Sequence, residues 1–127
     1  MSQAAYLIAR SRLGMSIILW SLNNMNHILP IDRLNESSNL IVFYHPEPSH
    51  NTHIVIMPKR PIRSLMELTA EDNDLLCEVI QMVQGLVNKL GLQDKGYRLI
   101  VNGGKYQNVA QLHFHLISDV NTQSATI

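Results

Sequence analysis

The residues best suited to do chemistry lie in the segment Gln-Leu-His-Phe-His-Leu-Ile at positions 111–117. Side chains on a β-strand alternate between its two faces, so Gln111, His113 and His115 are expected to share one face, opposite the apolar residues between them. The two imidazoles would then lie about 7 Å apart along the strand. Imidazoles in this arrangement can supply a nucleophile, a general acid or base, or metal ligands.

The histidine spacing by itself leaves several interpretations open. Exposed strand histidines with no function explain two such residues as well as a site does. In another interpretation His53, His113 and His115 supply three imidazoles to a zinc ion. No Asp, Glu or Cys stands at a spacing that would support a metal site, so we expect neither a metal nor another cofactor.

Short β-prone segments surround this motif and must position it. The runs 31–35 and 40–44 are separated by a polar turn and predict a hairpin. Three further strands are predicted over 52–57, 97–101 and 112–117, rich in β-branched and aliphatic residues. Most of these strands are close enough in sequence to be antiparallel neighbours.

A long helix is predicted between the third and fourth strands. Thr69 followed by Asp72 resembles a capping box at its start, and Gly91 is placed to cap its end. Its expected buried stripe consists of Leu75, Val79, Val83, Leu86 and Leu90. The resulting fold class is α+β, a five-stranded, mostly antiparallel sheet with a long helix packed on one face and an extra N-terminal helix over 16–26.

Length and composition limit the possible classes of protein. The chain has 127 residues, 46% of them apolar, which suits one domain with one hydrophobic core and excludes intrinsic disorder. Ten basic residues balance ten acidic ones, so no nucleic-acid backbone is an expected partner. No apolar run reaches the roughly 18 residues of a membrane span. The single cysteine, Cys77, indicates a reducing compartment, and we expect a cytoplasmic protein.

The segment 111–117 resembles the histidine triad (HIT) motif, in which three histidines alternate with apolar residues along the last strand, with Gln111 at the position of the first histidine. The segments 40–62 and 96–109 are also similar to strands and a loop of that family. The resemblance covers about residues 28–118. It implies a single HIT-like domain over 1–127, with an N-terminal helical extension of about 1–27 and a short tail over 119–127.

This resemblance implies hydrolysis or transfer at the α-phosphate of a nucleotide, through a nucleotidyl-histidine intermediate on His113. Nucleoside phosphoramidates and dinucleoside polyphosphates are the implied substrates. A backbone carbonyl near His115 is expected to hold the other ring N–H of His113. The remaining assignments are His115, Gln111 and Gln107 for catalysis, Asn102, Asn108, Phe43, His45 and Trp20 for substrate contact, and His53 for orienting the site from beneath.

Three positions depart from the family pattern. Gln111 cannot titrate and so cannot relay a proton. His45 stands where nucleotide-binding members carry an Asp that holds the ribose hydroxyls, and Asn108 stands where Ser or Thr helps the leaving group. These departures favour a second hypothesis, a noncatalytic HIT protein that binds a nucleotide or phosphate without turnover.

The resemblance also implies an assembly. Family members pair through the long helix and the fourth strand, so a twofold homodimer is expected.

Overall fold

The computed structural model describes residues 33–120. Within this range the chain forms a five-stranded sheet of order β1-β2-β3-β5-β4, in which every neighbouring pair is antiparallel. The elements are β1 (Arg33–Glu36), β2 (Leu40–Tyr44), β3 (Thr52–Pro58), α1 (Asn73–Leu90), β4 (Arg98–Val101) and β5 (Phe114–Ser118). The predicted fold class is confirmed. The predicted N-terminal helix, including Trp20, lies outside the described residues.

The helix ends as its sequence predicts, but it begins at Asn73, one turn after the predicted capping box. The Thr69 hydroxyl accepts from the backbone N–H of Glu71, and the Asp72 carboxylate accepts from the N–H of Thr69, so the capping box is present. A single 3-10 turn (Ala70–Asp72) separates this box from α1. Gly91 ends the helix in the left-handed region, at φ 68°, which a glycine adopts without steric cost.

The hydrophobic core lies between α1 and one face of the sheet. The helix contributes Val79, Val83, Leu86 and Val87, and the strands contribute Leu40, Val42, Ile54, Ile56, Phe114 and Leu116. Leu75 and Leu90, the outer members of the predicted stripe, are only partly buried. Each fully buried aliphatic side chain stabilises the fold by about 1.5–3 kcal/mol, so this layer holds the sheet rigidly against the helix.

The opposite face of the sheet carries the histidines. His53 alternates with the core residues of β3, and His115 alternates with those of β5, so both side chains point away from the layer that α1 covers. Phe43 lies on the same face of β2, opposite Val55. Among residues 33–120, no helix combines the length and the apolarity needed to cross a membrane.

The last strand differs from its prediction at its start. It was expected from residue 112, but β5 begins at Phe114. The backbone N–H of Leu112 donates instead to the carbonyl of Ile62, at 2.7 Å. Residues 111 and 112 therefore belong to a connection that is fastened to another part of the chain, and strand alternation does not extend to them.

Candidate functional site

His53 and His115 are in direct contact across neighbouring strands. The register of β3 with β5 places His115 opposite Val55 and His53 opposite Ile117, so the two histidines are diagonal neighbours on one face. His53 Nε2 lies 2.7 Å from His115 Nδ1. Their ring centroids are 5.0 Å apart.

The hydrogen bonds around this pair determine where each ring carries its proton. The backbone N–H of Ser49 donates to His53 Nδ1 at 3.1 Å, so Nδ1 is an acceptor and the proton of the neutral ring is on Nε2. That N–H donates to His115 Nδ1. His115 is therefore left with its own proton on Nε2.

Both rings are held neutral. Burial, followed by the neighbouring imidazoles, lowers the pKa of His53 to about 3. Burial, followed by His113 and His45, lowers the pKa of His115 to about 4. Protonation of either ring would place a positive charge in a partly buried position beside other imidazoles. The neutral forms therefore prevail at pH 7.

His113 has the opposite tautomer. Its Nδ1 lies 2.7 Å from the backbone carbonyl of Gln111, and a carbonyl can only accept, so Nδ1 carries the proton and Nε2 presents a lone pair. Burial lowers the pKa of His113, although the Gln111 carbonyl opposes this effect. The orienting carbonyl was expected near His115, but it belongs to the residue two positions before His113.

His45 completes a group of neighbouring rings. It stacks on His53 with centroids 4.3 Å apart and lies 6.2 Å from His115. Its Nδ1 accepts from the backbone N–H of Glu47 at 2.9 Å. His113 contacts His115 edge to face, at 4.8 Å. We call His45, His53, His113 and His115 the histidine cluster.

Gln111 does not share the face of His113, contrary to the prediction from alternation. Its side chain is 1% exposed and bonds to the segment that follows β3. Its Oε1 accepts from the N–H of Ile62 at 3.2 Å, and its Nε2 donates to the carbonyls of Pro58 at 3.1 Å and Arg60 at 3.0 Å. The reason is that Gln111 precedes β5, so the pleat of the strand does not direct its side chain.

The predicted phosphate-side residues lie in the connection between β4 and β5. Asn102 directly follows β4, whose last residue, Val101, pairs with Phe114 at the start of β5. Gln107 Nε2 donates to the carbonyls of Arg63 at 2.7 Å and Val109 at 2.9 Å, so both amide hydrogens are engaged with backbone. Asn108 is exposed.

Residues 29–122 match the family model for the HIT domain. The chain belongs to the HIT domain family. An uncharacterized HIT-like protein of Helicobacter pylori strain ATCC 700392 / 26695 is 33% identical over 92 residues, which cover 71% of this chain and 86% of that protein. The purine nucleoside phosphoramidase of Escherichia coli strain K12 is 29% identical over 91 residues, 70% of this chain and 76% of that protein.

A solved HIT structure shares the architecture. The crystal structure of a HIT family hydrolase from Legionella pneumophila Philadelphia 1 superposes with a TM-score of 0.69 at 29% identity, and the match covers 72% of this chain and 84% of that one. The relatives of this chain therefore include a protein described as a hydrolase and one described as a purine nucleoside phosphoramidase.

The HIT domain shows no arrangement suited to a metal ion within residues 33–120. The three-imidazole zinc site considered from sequence is not formed, because His53 Nε2 and His115 Nδ1 bond to each other and His113 Nδ1 bonds to a carbonyl. These contacts occupy one nitrogen of each ring, and His53 Nδ1 also accepts from the backbone N–H of Ser49.

Two contributors to the site were not predicted from sequence. Ser49 fixes the tautomer of His53, and its position in a Pro-rich loop four residues earlier is the only sequence signal for it. Ile62 bonds to both Gln111 and Leu112 through its backbone. No side-chain pattern could have revealed that contact.

Proposed function

We propose that this HIT domain hydrolyses nucleoside phosphoramidates or dinucleoside polyphosphates, or transfers their nucleotidyl group, with His113 as the nucleophile. The observation that supports this proposal is the tautomer of His113. Its Nδ1 proton is engaged by the Gln111 carbonyl, so Nε2 is unprotonated and free to attack an α-phosphorus. A neutral imidazole in this state needs no base to activate it.

The reaction proceeds in two displacements. His113 Nε2 forms a bond to the α-phosphorus while the bond from phosphorus to the leaving group breaks, and an amine leaving group takes up a proton from solvent. Water, or another acceptor, then attacks the same phosphorus and loses its proton to solvent. The electron pair of the broken phosphorus–nitrogen bond returns to Nε2, which regenerates the free imidazole. The ring keeps its Nδ1 proton throughout, hydrogen-bonded to the carbonyl.

His115 is proposed to stabilise the transferred phosphoryl group. Its Nε2–H, set by the contact with His53, is a donor next to His113, where negative charge on phosphoryl oxygens must be met. Asn102, the residue directly after β4, is proposed as a second side-chain donor. His53 orients His115 and does not itself contact the substrate.

The proposed contacts with the ligand follow from the family resemblance. Gln111 stands at the first triad position and supplies its backbone carbonyl, whereas a side-chain proton relay is absent there. Trp20 is proposed to contact the nucleobase, Phe43 the substrate, and Asn108 the leaving group. His45 takes the place of the ribose-binding carboxylate, so a ribose would meet an imidazole at that point.

A noncatalytic nucleotide-binding role is the second candidate. The engagement of two side chains with backbone favours it, since the amides of Gln111 and Gln107 donate to carbonyl groups and are not available to a leaving group. The pocket would then bind a nucleotide while the chemical step is too slow to matter.

The proposed biological unit is a homodimer in the cytoplasm, with a nucleotide or nucleotide conjugate as the ligand. The edge position of β4 in the sheet supports pairing of two sheets through this strand. Light scattering that gives a monomer at micromolar concentration would contradict the dimer.

Intact-mass measurement tests the nucleophile. The protein is incubated with an adenosine phosphoramidate or a dinucleoside polyphosphate and quenched without acid, because phosphohistidine bonds are acid-labile. The expected adduct is one nucleotidyl group, which His113→Ala abolishes together with turnover. His50→Ala, which removes a histidine outside the cluster, is the matched control and is expected to label normally.

The outcomes separate the two candidates. An active His113→Ala protein would reject the nucleophile. A wild-type protein that binds nucleotide, forms no adduct and turns over neither the phosphoramidate nor the dinucleoside polyphosphate would establish the noncatalytic role.

A further inference from the structure

One peptide unit joins the segment after β3 to the ring of His113. The N–H of Leu112 donates to the Ile62 carbonyl at 2.7 Å, and the carbonyl of Gln111, the other half of the same peptide unit, accepts from His113 Nδ1 at 2.7 Å. In a trans peptide the N–H and C=O point in opposite directions. The bond to Ile62 therefore aims the carbonyl at His113.

The side chain of Gln111 holds the same segment. A carboxamide has one acceptor oxygen and two N–H donors, and here the oxygen takes the N–H of Ile62 while the two hydrogens go to the carbonyls of Pro58 and Arg60. The side chain is buried, so water does not compensate for a lost partner. Leaving these backbone groups unpaired would loosen the connection from Pro58 to Ile62.

We propose that Gln111 is a positioning residue that sets the tautomer of His113, the proposed nucleophile. Its side chain fixes the 58–62 segment, that segment fixes the Gln111–Leu112 peptide through Ile62, and the peptide carbonyl keeps the proton of His113 on Nδ1. The functional meaning rests on the proposed role of His113, whereas the positioning itself does not. If the carbonyl turns away, a proton can reside on Nε2, and the ring no longer presents a lone pair to phosphorus.

The chemistry of the three bonds selects glutamine at this position. An ionised glutamate would oppose two carbonyl oxygens without a hydrogen to share, and a methionine of similar length makes no hydrogen bond. A neutral histidine has a single N–H for the two carbonyls. Only the carboxamide matches one donor and two acceptors at once.

Nitrogen-15 NMR of the imidazoles in the ligand-free protein tests the proposal. The wild-type spectrum is expected to show His113 with its proton on Nδ1. Gln111→Met is expected to give a measurable Nε2–H population, and kcat for a nucleoside phosphoramidate falls by about tenfold or more, as when a catalytic imidazole is held in the wrong tautomer. KM is expected to change less than kcat.

Ser118→Ala is the matched control. Ser118 is also buried, and its hydroxyl donates to the Gly96 carbonyl at 2.7 Å from the same strand as His115. Its loss is expected to lower the melting temperature without changing the tautomer of His113. If Gln111→Met does not fold, Gln111→His, which keeps one N–H for the two carbonyls, is measured in its place.

Two results would overturn the positioning role. These are a wild-type His113 protonated on Nε2, or a folded Gln111 variant whose His113 keeps the Nδ1 proton as fully as the wild type. A wild-type protein with the Nδ1 tautomer that forms no nucleotidyl adduct would reject the proposed hydrolase and leave the positioning role supported by the variant spectra.

Discussion

The imidazole of His45 lies flat against that of His53, with centroids 4.3 Å apart and ring planes 23° apart. Burial lowers the pKa of both rings, and each is affected further by neighbouring histidines. A positive charge on either ring would therefore make protonation of the other ring less favourable. Both shifts favour the uncharged form of the ring concerned.

This neutrality predicts how stability depends on pH. The folded-state pKa values of His53 and His115 are lowered to about 3 and about 4 from 6.5, so the unfolded chain binds more protons than the folded protein below pH 6.5. The contribution of these neutral rings to the free energy of unfolding is complete above that pH. It is lost as the pH falls through about 4 and about 3. Urea unfolding between pH 4.5 and pH 7.5 should show a free energy of unfolding that rises and then levels off.

His53→Gln supplies the control for that experiment. It removes one titrating ring, so the pH dependence of the free energy of unfolding should become shallower. A variant with the wild-type slope would show that His53 is not one of the groups responsible.

The contact between His53 and His115 predicts a division between two substitutions. His53→Phe removes the donor to His115 Nδ1, so His115 can place its proton on the wrong nitrogen, and we expect kcat to fall roughly tenfold or more. His53→Gln, whose amide can donate in place of the ring, should retain more activity. Steady-state kinetics on a nucleoside phosphoramidate distinguishes them, and equal losses in both variants would contradict the orienting role.

His45→Asp tests the recognition of the sugar. A carboxylate at this position can accept hydrogen bonds from two ribose hydroxyls, whereas the imidazole has its Nδ1 already occupied by the N–H of Glu47. We expect the affinity for ribonucleotides to rise relative to ribose-free phosphates, as measured by calorimetry. His45→Asn, which has a similar shape without the charge, is the control, and an unchanged preference in His45→Asp would show that the sugar does not reach this residue.

Gln111→His is not expected to raise turnover, although it restores the third histidine of the triad motif. The family pattern alone suggests that a titratable residue here would speed turnover, but the side chain at 111 points into the segment after β3 and not toward His113. We expect a lower melting temperature and a lower kcat than the wild type. Faster turnover in this variant would mean that an imidazole at position 111 reaches the substrate after all.

Most of the fold could be predicted because local rules determine it. The bounds of β2, the capping box of Thr69 and Asp72, and the helix end at Gly91 follow from propensity, capping and backbone conformation. The histidine face was also predictable wherever residues lie inside strands. Alternation does not predict the side-chain direction of Gln111, because its hydrogen bonds reach residues 49 or more positions away in the sequence. No local pattern contains such contacts.

The segment from Pro58 to Ile62 also links the tautomer of His113 to local unfolding. It has no regular secondary structure beyond the end of β3, and its backbone is held by Gln111 and Leu112. Segments of this kind open at a smaller free-energy cost than the strands around them. On warming, His113 would lose its fixed tautomer when this connection opens, so any reaction that depends on this tautomer would stop while the sheet and helix are still folded.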